Sequence, residues 1–514
     1  MKRIIHPIFL LASLYFWSCA NNQNYPDTNL ASLSIKQVPV ILGHFTTVGQ
    51  LRVSSESAGS MQEIQLEVTS EIPLAGLRVL EMAPDGGDEQ LVFEENEVQG
   101  TVSIPVKESE NNQERVFSIQ LKPAVQTPLL AKIDLSVSCV QWNGKKFVPE
   151  IQDTYSPLRV AKSVRNHGDD GVHSYRIPGL VTSKEGTLLA VYDVRRDKSG
   201  DLQGDIDVGL SRSTDGGETW EPMQIIMDMG TFGGLPADQN GIGDPAILVD
   251  EATGNIFVIG LWMHGKPGVA AWVSSQPGQA PEETGQLMLV RSEDNGLTWS
   301  EPENITQPLK DSSWHLFLGG PGMGITLKDG TLVFAAQYKD GEQVPYSTII
   351  YSKDRGKTWT VGKGARPKTT ESQVVELSDG SLMLNMRDDR GGSRAVMVTR
   401  DLGASWEEHP SNRSVLIEPI CMGSLIAVNP SNQSLLLFSN PNATDGRYNI
   451  TIKTSFDEGL TWPESNQILL DEEEGWGYTC LTLIDADHVG ILYESSQANM
   501  TFQKIALKEL TNTP

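Results

Sequence analysis

The sequence predicts an all-β protein in which a six-bladed β-propeller follows an N-terminal β-sandwich. Two patterns support this: an eight-residue motif recurs five times in the last two-thirds of the chain, and short strands of alternating polarity fill the first third. The length of 514 residues also exceeds what one hydrophobic core usually organises. The five copies of the motif are Ser213–Trp220, Ser292–Trp299, Ser352–Trp359, Thr399–Trp406 and Ser455–Trp462.

Each copy has the composition of a tight turn with an anchored end. In Ser213–Trp220 an Asp and two hydroxyl side chains can bond to the turn's own backbone, Gly supplies a positive φ, and Trp can pack beneath the hairpin. Successive copies begin 47 to 79 residues apart, the size of a four-stranded unit. Six such units close into a ring without free sheet edges. The unit that lacks a copy is expected to be the last blade, built from strands at both ends of the domain.

The first part of the chain, residues 20–155, has a different pattern. Stretches such as Ile64–Val68 and Lys132–Val137 alternate apolar and polar residues with period two. That period is typical of half-buried antiparallel strands, so we expect a β-sandwich. The junction is placed near Tyr155–Pro157 because Pro breaks a strand ladder, which leaves 156–514 for the propeller. Carbohydrate binding and a spacer function both stay open for the sandwich.

The net charge of −26 limits the partners of this chain. Nucleic acid and anionic membrane surfaces would be repelled. The same field opposes an anionic substrate, so any anion site has to be built from clustered arginines.

The first 19 residues predict export. A short basic start is followed by an apolar run that ends in Trp17-Ser18-Cys19, and polar residues come next. A small residue before Cys resembles a bacterial lipobox, which would make Cys19 a lipid anchor and place the protein in the periplasm, the outer membrane or at the cell surface. Soluble secretion is the alternative. Three further cysteines, Cys139, Cys421 and Cys480, have no disulfide or zinc spacing and are expected to be buried small hydrophobes.

The five repeated motifs resemble the Asp boxes of the sialidase superfamily, and the resemblance covers roughly the last two-thirds of the chain. Asp boxes also occur in propellers without sialidase activity, so they predict an architecture only. The sandwich resembles the domain that precedes the propeller in sialidases of Bacteroides-type gut bacteria. A more specific resemblance to bacterial exo-α-sialidases, or neuraminidases, rests on other positions.

Three arginines match the arginine triad of that family. Arg176 lies in Tyr175-Arg176-Ile177-Pro178, Arg387 ends Leu384-Asn385-Met386-Arg387, and Arg447 lies in a looser motif. Guanidinium groups hold a planar carboxylate by charge-assisted contacts, and sialic acid carries such a carboxylate on its anomeric carbon. The resemblance implies that Glu494 orients Arg176.

Tyr478, in Gly475-Trp476-Gly477-Tyr478, matches the family's nucleophile, and Glu371 matches its glutamate partner. A neutral phenol is not repelled by the substrate carboxylate as a carboxylate nucleophile would be. Nearby arginines are expected to favour the phenolate and so narrow the pKa gap between Tyr478 and Glu371. Glu376 is set aside because the family motif begins at Glu371.

The resemblance places the acid/base residue in the loop that follows Arg195. Its spacing from that arginine favours Asp201 over Asp197 and Asp205. Asp244, before Pro245, matches the residue that binds the sugar's 4-hydroxyl together with Arg195. A turn-forming Asp is the alternative for Asp244.

The resemblance therefore implies a retaining exo-α-sialidase that releases terminal sialic acid from glycoproteins, gangliosides and oligosaccharides. The sequence has no H-E-x-x-H, EF-hand loop or Cys/His cluster, and this route needs no metal or cofactor. Two alternatives stay open: a transfer or anhydro-forming enzyme of the same fold, and a non-catalytic propeller that binds sialic acid.

Overall fold

A computed structural model describes residues 29–55, 60–83, 89–107, 114–152, 157–429 and 435–511. The predicted export signal, Cys19 and most of the predicted junction therefore lie outside the described residues. The described chain divides into two compact units. The first takes in the chain up to Lys36, Gly43–Val125 and Lys132–Leu158, and the second takes in Gln37–Leu42, Gln126–Ala131 and the chain from Arg159 onward.

The first unit contains two sheets. One has the strand order Glu150–Ile151, Asn29–Ile35, Thr46–Ser55, Glu114–Lys122, Gly76–Glu81, Gln90–Glu95. In the other, the order is Lys145–Phe147, Lys132–Trp142, Met61–Ser70, Gly100–Pro105. The two stretches singled out in the sequence are paired, with Leu66 opposite Val137 and Val68 opposite Leu135. Burial alternates along these strands, as period-two patterning predicts.

The second unit is a six-bladed propeller, so the predicted fold class is confirmed. Blade one consists of Ser174–Thr182, Leu188–Arg195, Ile206–Ser213 and Gln224–Met227. Blade two consists of Ile242–Val249, Ile256–Trp262, Gln286–Ser292 and Glu303–Asn304, with Gly322–Met323 beside its first strand. Blade three consists of Leu316–Gly319, Leu332–Lys339, Pro345–Ser352 and Thr360–Val361, flanked by Ile325–Thr326 and Arg366–Pro367.

The remaining blades complete the ring. Blade four consists of Thr369–Glu376, Leu382–Asp388, Ala395–Thr399 and Glu407–Glu408, and beside it Gly392–Ser393 pairs with Ile417–Glu418. Blade five consists of Ser424–Val428, Leu435–Pro441, Ile450–Ser455 and Gln467–Asp471. Blade six consists of Thr479–Asp485, His488–Tyr493, Met500–Ala506 and Leu158–Arg165.

Blade six closes the ring as predicted, because its outer strand Leu158–Arg165 comes from the start of the propeller and its other strands from the end. Val40–Ile41 covers part of the other edge of that outer strand, where it pairs in parallel with Val160 and Ala161. This covering strand lies within the range 20–155 that the sequence assigns to the sandwich, yet it groups with the propeller.

Apolar clusters between neighbouring blades form the core of the propeller. Clusters lie between blades one and two, two and three, three and four, four and five, and five and six. Because each blade packs on both faces, strands such as Leu188–Arg195 and Ile206–Ser213 are buried along their whole length. The innermost strand of blade one contacts those of both blade two and blade six.

The five predicted turn motifs all join the third strand of a blade to its fourth. In the second copy, the Asp294 carboxylate accepts hydrogen bonds from the Ser292 hydroxyl (2.8 Å) and from the Thr298 backbone N–H (2.8 Å) and hydroxyl (2.5 Å). The other four copies repeat this pattern. Gly296 has the expected positive φ of 79°. The motif is therefore a structural turn.

The helices are short and lie in connections. Their bounds are Asp169–Gly171, Phe232–Gly234, Ala237–Gln239 and Glu464–Asn466 for 3₁₀ turns, and Ala271–Ser274, Thr306–Leu309 and Leu507–Leu510 for α-helical turns. Among the described residues, no helix has the length and apolarity needed to span a bilayer. Cys139, Cys421 and Cys480 are buried, as the sequence predicted.

Candidate active site

In three blades, a predicted site residue lies near the start of the innermost strand. Arg176, Asp244 and Glu371 are each the third residue of the first strand, in blades one, two and four. In all three blades the pairing register with the second strand shifts at this point. Such bulges re-aim side chains. Asp244 itself has a φ of 55°, which is unusual for a residue other than Gly.

The other predicted site residues lie at the same end of the blades. Arg195 and Arg387 are at the ends of the second strands of blades one and four, and Glu494 directly follows the second strand of blade six. Asp201 and Arg447 are in the loops after the second strands of blades one and five. The Asp-containing turns lie at the opposite end, because they join third strands to fourth strands.

The Tyr478 hydroxyl lies between a carboxylate and a guanidinium group. It donates a hydrogen bond to Glu371 Oε1 (2.6 Å) and accepts one from Arg387 Nη1 (2.9 Å). The same Arg387 nitrogen also donates to Glu371 Oε2 (2.6 Å). The three side chains form a closed hydrogen-bonded triangle in which the phenol oxygen has a fixed position.

The pKa of Tyr478 lies well above its ordinary value. Burial is the main cause, the Glu371 carboxylate adds to it, and Arg387 opposes both. Arg387 acts in the expected direction, but in the site without substrate the net pKa of Tyr478 is raised and not lowered. The phenol is neutral there, because burial and the neighbouring carboxylate outweigh the one arginine in contact.

Arg176 is held from two sides. Its Nε and Nη2 donate to the two oxygens of Glu494 at 2.6 and 3.3 Å. The backbone N–H groups of Ile177 and Tyr478 donate to the same carboxylate, which is fully buried. Burial lowers the pKa of Arg176, but Glu494, together with Tyr478 and Asp201, raises it, and the pKa stays above its ordinary value. Glu494 therefore orients Arg176 and ties it to the backbone of Tyr478.

Trp476 connects two of the arginines. Its ring lies 4.3 Å from the Arg176 guanidinium carbon, and its carbonyl oxygen accepts a hydrogen bond from Arg447 Nη1 (2.9 Å). The guanidinium carbons of Arg176 and Arg447 are each 5.6 Å from the centre of the Tyr478 ring. Together with the Arg387 contact, this brings all three predicted triad arginines around one phenol.

Arg195 and Asp201 form a second charged group. Arg195 Nε and Nη2 donate to Asp193 Oδ2 at 3.1 and 2.9 Å. Its Nη1 lies 2.8 Å from Asp201 Oδ1, and the Asp201 side chain is 77% exposed. Arg195 is thus fixed by a buried carboxylate on one edge and contacts the predicted acid/base residue with the other.

Asp244 lies in the field of several carboxylates. Its backbone N–H donates to Asp193 Oδ1 (2.8 Å). Burial raises the pKa of Asp244 well above its ordinary value, and the charges of Asp193, Asp201 and Glu371 add to this while Arg195 opposes it. Burial also raises the pKa of Asp193, to about 6, against the effect of Arg195. Such paired shifts are typical of functional sites.

A buried ion pair supports the site from behind. Glu418 and Arg394 are both fully buried and lie 2.7 Å apart. Glu418 Oε1 also accepts from the backbone N–H of Asp388 (2.7 Å), the residue after Arg387. Arg394 donates to the Cys421 carbonyl (2.7 Å), and Cys421 packs with Met422, Ile177 and Tyr478 in one apolar cluster. The pair therefore holds in place the end of the strand that carries Arg387 and the apolar cluster that packs against Tyr478.

The structure thus brings together all nine residues that the sequence singled out. Sequence reasoning missed Asp193, Trp476 and the Arg394–Glu418 pair. Asp193 had a readable signal, because residues two apart on a strand share a face and Arg195 had been identified. Trp476 had none beyond its place two residues before Tyr478. A pair 24 positions apart that meets through sheet geometry leaves no local pattern. Among the described residues, no cluster of acidic, His or Cys side chains has the arrangement of a metal site.

Comparison with known proteins gives a family match and several similar sialidases. A family model described as a BNR repeat-like domain matches residues 177–467. A sialidase of Bacteroides fragilis (strain YCH46) is 53% identical over 399 residues, which cover 77% of this chain and 73% of that protein. A sialidase of Clostridium perfringens is 33% identical over 359 residues, covering 64% and 88%. The solved structure of Hadza microbial sialidase Hz136 has 44% sequence identity and a TM-score of 0.88, and the match covers 93% of this chain and 99% of that one.

Proposed function

The chain belongs to the bacterial sialidases, exo-α-sialidases built on BNR repeats, and we propose that it hydrolyses terminal sialosides with retention through Tyr478. The observation that carries the proposal is the double hydrogen bond of the Tyr478 hydroxyl to Glu371 and Arg387. A phenol held by a carboxylate base inside an arginine cluster has the parts of an activated nucleophile for an anionic sugar. A core tyrosine would not require these partners.

In the first step, Tyr478 Oη attacks the anomeric carbon of the bound sialic acid. The phenol proton passes to Glu371, which already accepts it at 2.6 Å. The glycosidic oxygen leaves with the bonding electrons and takes a proton from Asp201. The high pKa of Tyr478 argues against a free phenolate, so attack and proton transfer are concerted. The product is a covalent tyrosyl–sialic acid intermediate.

In the second step, water attacks the same carbon from the face that the leaving group vacated. Asp201, now a carboxylate, takes a proton from that water. The bond to Tyr478 Oη breaks, and Glu371 returns its proton to the departing phenol oxygen. Two inversions give overall retention. The exposure of Asp201 is consistent with access of water to its carboxylate.

Arg176, Arg387 and Arg447 bind the substrate carboxylate in this proposal. Arg176 and Arg387 already donate to carboxylates, those of Glu494 and Glu371 respectively. The described hydrogen bonds of Arg447 instead go to the backbone carbonyls of Trp476 and Ile420. Arg447 therefore keeps an uncompensated charge for an anion. Arg195 and Asp244 bind the sugar's 4-hydroxyl in the same proposal.

Tyr478→Phe tests the nucleophile. We expect kcat/KM on a fluorogenic sialoside to fall by at least about a thousandfold, since the attacking atom is gone. NMR of the first-formed sugar anomer reports retention, and mass spectrometry of the product separates hydrolysis from transfer and from anhydro-sugar formation. Undiminished release by Tyr478→Phe, or a first product of inverted configuration, would refute the mechanism.

Tyr493→Phe is the matched control. Tyr493 is fully buried, and its hydroxyl donates to Gln503 (2.9 Å) within the apolar cluster between blades five and six. Tyr493→Phe removes a phenol oxygen from blade six, as Tyr478→Phe does. We expect a lower thermal midpoint and an activity per folded molecule close to that of the wild type.

We also propose that the substrates are sialylated mucin-type glycoproteins, oligosaccharides and gangliosides.

Export and lipid anchoring through Cys19 form a further proposal. The support is the basic and apolar composition of the first 19 residues. Membrane fractionation of cells that make wild type or Cys19→Ala is the test. Both variants in the soluble fraction would contradict the anchor.

A further inference from the structure

The loop of blade one that carries Asp201 is exposed at its tip and buried directly after it. The Asp201 side chain is 77% exposed, whereas Leu202 and Gln203 are 5% and 2% exposed. Before the tip, Arg195 Nη1 donates to the Ser199 carbonyl (2.6 Å). A carboxylate on an exposed tip keeps one position only if its neighbours hold the backbone. The two residues that follow it, Leu202–Gln203, are referred to below as the anchor dipeptide.

Gln203 uses both ends of its side-chain amide. Its Nε2 donates to the carbonyl oxygens of Met263 and Gly265, both at 2.8 Å. Its Oε1 accepts from the backbone N–H groups of Gly204 (3.1 Å) and Gly241 (3.3 Å). An amide side chain has two N–H donors and two acceptor lone pairs, so these four bonds match its full capacity. Three of the four partners flank the first two strands of blade two, so the neighbouring blade holds this loop.

Leu202 adds an apolar contact and a backbone contact. Its carbonyl oxygen accepts a hydrogen bond from the Ala271 N–H (2.8 Å), at the start of a helical turn after the second strand of blade two. A Cβ on Gly241 would lie 2.8 Å from Leu202 Cδ2 and 2.2 Å from the Gly204 carbonyl oxygen, so the packing is tight. The Leu202 side chain belongs to an apolar cluster from blades one, two and three, with Ile206, Leu261, Met263, Ala271, Leu316 and Leu318.

The position of the Asp201 carboxylate depends on this anchored backbone. The described contact of the carboxylate is its 2.8 Å ion pair with Arg195 Nη1. One contact to a guanidinium group does not by itself fix the orientation of an exposed side chain. A general acid has to lie within hydrogen-bond distance of the oxygen that it protonates. A displacement of about 1 Å is enough to cost roughly a hundredfold in rate.

We propose that the anchor dipeptide positions Asp201, so that blade two determines where the acid/base residue of blade one lies. This role rests on the proposed function, in which Asp201 protonates the leaving oxygen. Leu202 and Gln203 act through Asp201 and are positioning residues. Their loss should impair acid catalysis more than nucleophilic attack, because Tyr478 and Glu371 belong to blades six and four.

Gln203→Met tests the anchor with leaving groups of different basicity. The variant keeps the length of the side chain and removes its four hydrogen bonds. A sugar alkoxide is a strong base that needs a proton as it leaves, whereas nitrophenolate is a weak base that leaves without one. We expect kcat/KM on sialyllactose to fall by about 10- to 100-fold, and kcat/KM on a nitrophenyl sialoside by no more than about threefold.

The same variant should separate kcat from KM on the nitrophenyl sialoside. The value of kcat/KM reports the first step, whereas the second step needs Asp201 as the base for water. When the second step slows, the covalent intermediate accumulates, and kcat and KM fall together by a similar factor. A role in stability alone would lower the thermal midpoint without changing either this relation or the ratio of the two substrates.

Leu202→Ala tests the apolar half of the anchor, because it leaves the Gln203 hydrogen bonds in place. We expect the same selective loss on sialyllactose and its rescue in Leu202→Met, which refills the space. Gln503→Met is the matched control. Gln503 is fully buried in blade six, where its amide accepts from the Tyr493 hydroxyl (2.9 Å) and donates to the Val160 carbonyl (3.4 Å). It should lower stability and keep the wild-type ratio of the two substrates.

Hydrogen exchange separates this inference from the proposed function. In Gln203→Met, the amides of Gly204 and Gly241 lose their acceptor and should exchange about tenfold faster, whether or not sialosides are cleaved. The amide of Gly296, which donates to the Ser292 hydroxyl in the second turn motif, should be unchanged. Absence of release from both sialosides by wild type would refute the proposed function, and exchange would still decide whether the dipeptide holds the loop. Equal losses on the two sialosides, or unchanged exchange at Gly204 and Gly241, would overturn the anchor.

Discussion

At several residues of this protein, burial affects the pKa more strongly than the neighbouring charged partner does. Tyr478 keeps its proton although Arg387 donates to it, and Asp193 has a raised pKa although Arg195 donates to it twice. In both cases the loss of hydration outweighs the neighbouring cation. In the proposed mechanism the substrate brings its own charge into the arginine cluster, and we expect this charge to change the balance.

Asp207 offers a measurable case at this scale. It is buried, and burial raises its pKa to about 6 although Arg196 donates to it at 2.5 and 2.8 Å. A raised native pKa means that stability falls as pH rises from about 4 to 6 and is constant above. Relative to Asp207→Asn, the wild type should lose about 3 kcal/mol across that window. Chemical denaturation at pH 4, 5, 6 and 7 measures the difference.

Asp294→Asn provides a control of opposite sign for this experiment. Hydrogen bonds from Thr298 lower the pKa of Asp294 to about 2. Its contribution is therefore present above pH 4 and lost as pH falls toward 2. The free energies of unfolding of wild type and Asp207→Asn should differ by an amount that changes between pH 4 and 6. A constant difference over that range would contradict the raised pKa of Asp207.

At the scale of elements, the ends of strands determine the site. The register shifts in blades one, two and four turn Arg176, Asp244 and Glu371 out of an otherwise buried ladder. The sequence predicted these residues from motifs, but it could not predict the shifts, because a bulge depends on the pairing of two strands. For the same reason Trp476 and the Arg394–Glu418 pair had to be read from the fold.

Glu418→Gln tests whether the buried pair positions the site. The variant leaves the Arg394 charge unpaired, so a loss of about 3–5 kcal/mol in stability is expected. Because Glu418 also holds the strand end of Arg387, we expect kcat/KM to fall about tenfold and the pH profile to shift. Steady-state kinetics on the folded fraction gives both values.

Asp250→Asn separates positioning from stability. Asp250 is fully buried and pairs with Arg355 (3.0 Å), but it follows the first strand of blade two, at the end away from the site. This variant should be destabilised with an unchanged pH profile. Identical kinetic effects in both variants would mean that Glu418 acts through stability alone.

The Asp-containing turns should contribute stability without activity. Asp457→Ala removes the acceptor for the Ser455 hydroxyl and for the Thr461 N–H and hydroxyl. We expect a loss of about 1–3 kcal/mol, measured by thermal or chemical unfolding, and full activity per folded molecule. Glu464→Ala, in the same blade but outside the turn, is the control. A large activity loss at unchanged stability would contradict a structural role.

For the whole molecule, the repeat count and the ring closure could be predicted from the sequence, because five of the six blades carry their own turn signal. The exception is Val40–Ile41, a two-residue strand whose long-range partner Val160–Ala161 has no local signature. Very short strands that cover an edge have too few residues for any period to be recognised.

This small strand has a large expected effect on truncation. A fragment of residues 157–514 would lack Val40–Ile41, the hydrogen bond from Leu42 to the Ala161 carbonyl, and that from Glu472 to the Gln37 carbonyl. We expect its thermal midpoint to lie several degrees below that of the full chain. Calorimetry compares the two, and Val40→Ala in the full chain should show part of the same loss. Equal midpoints would contradict the assignment of this segment to the propeller.

The hydrogen bond between the side chains of Arg176 and Glu494 joins positions that are 318 residues apart in the sequence. At about 5–20 residues per second, the ribosome produces the arginine roughly 15–60 s before its carboxylate partner. During most of that interval the nascent chain also lacks Tyr478, so under the proposed mechanism we expect it to be inactive. We therefore expect sialidase activity to appear only after the last blade has been synthesised.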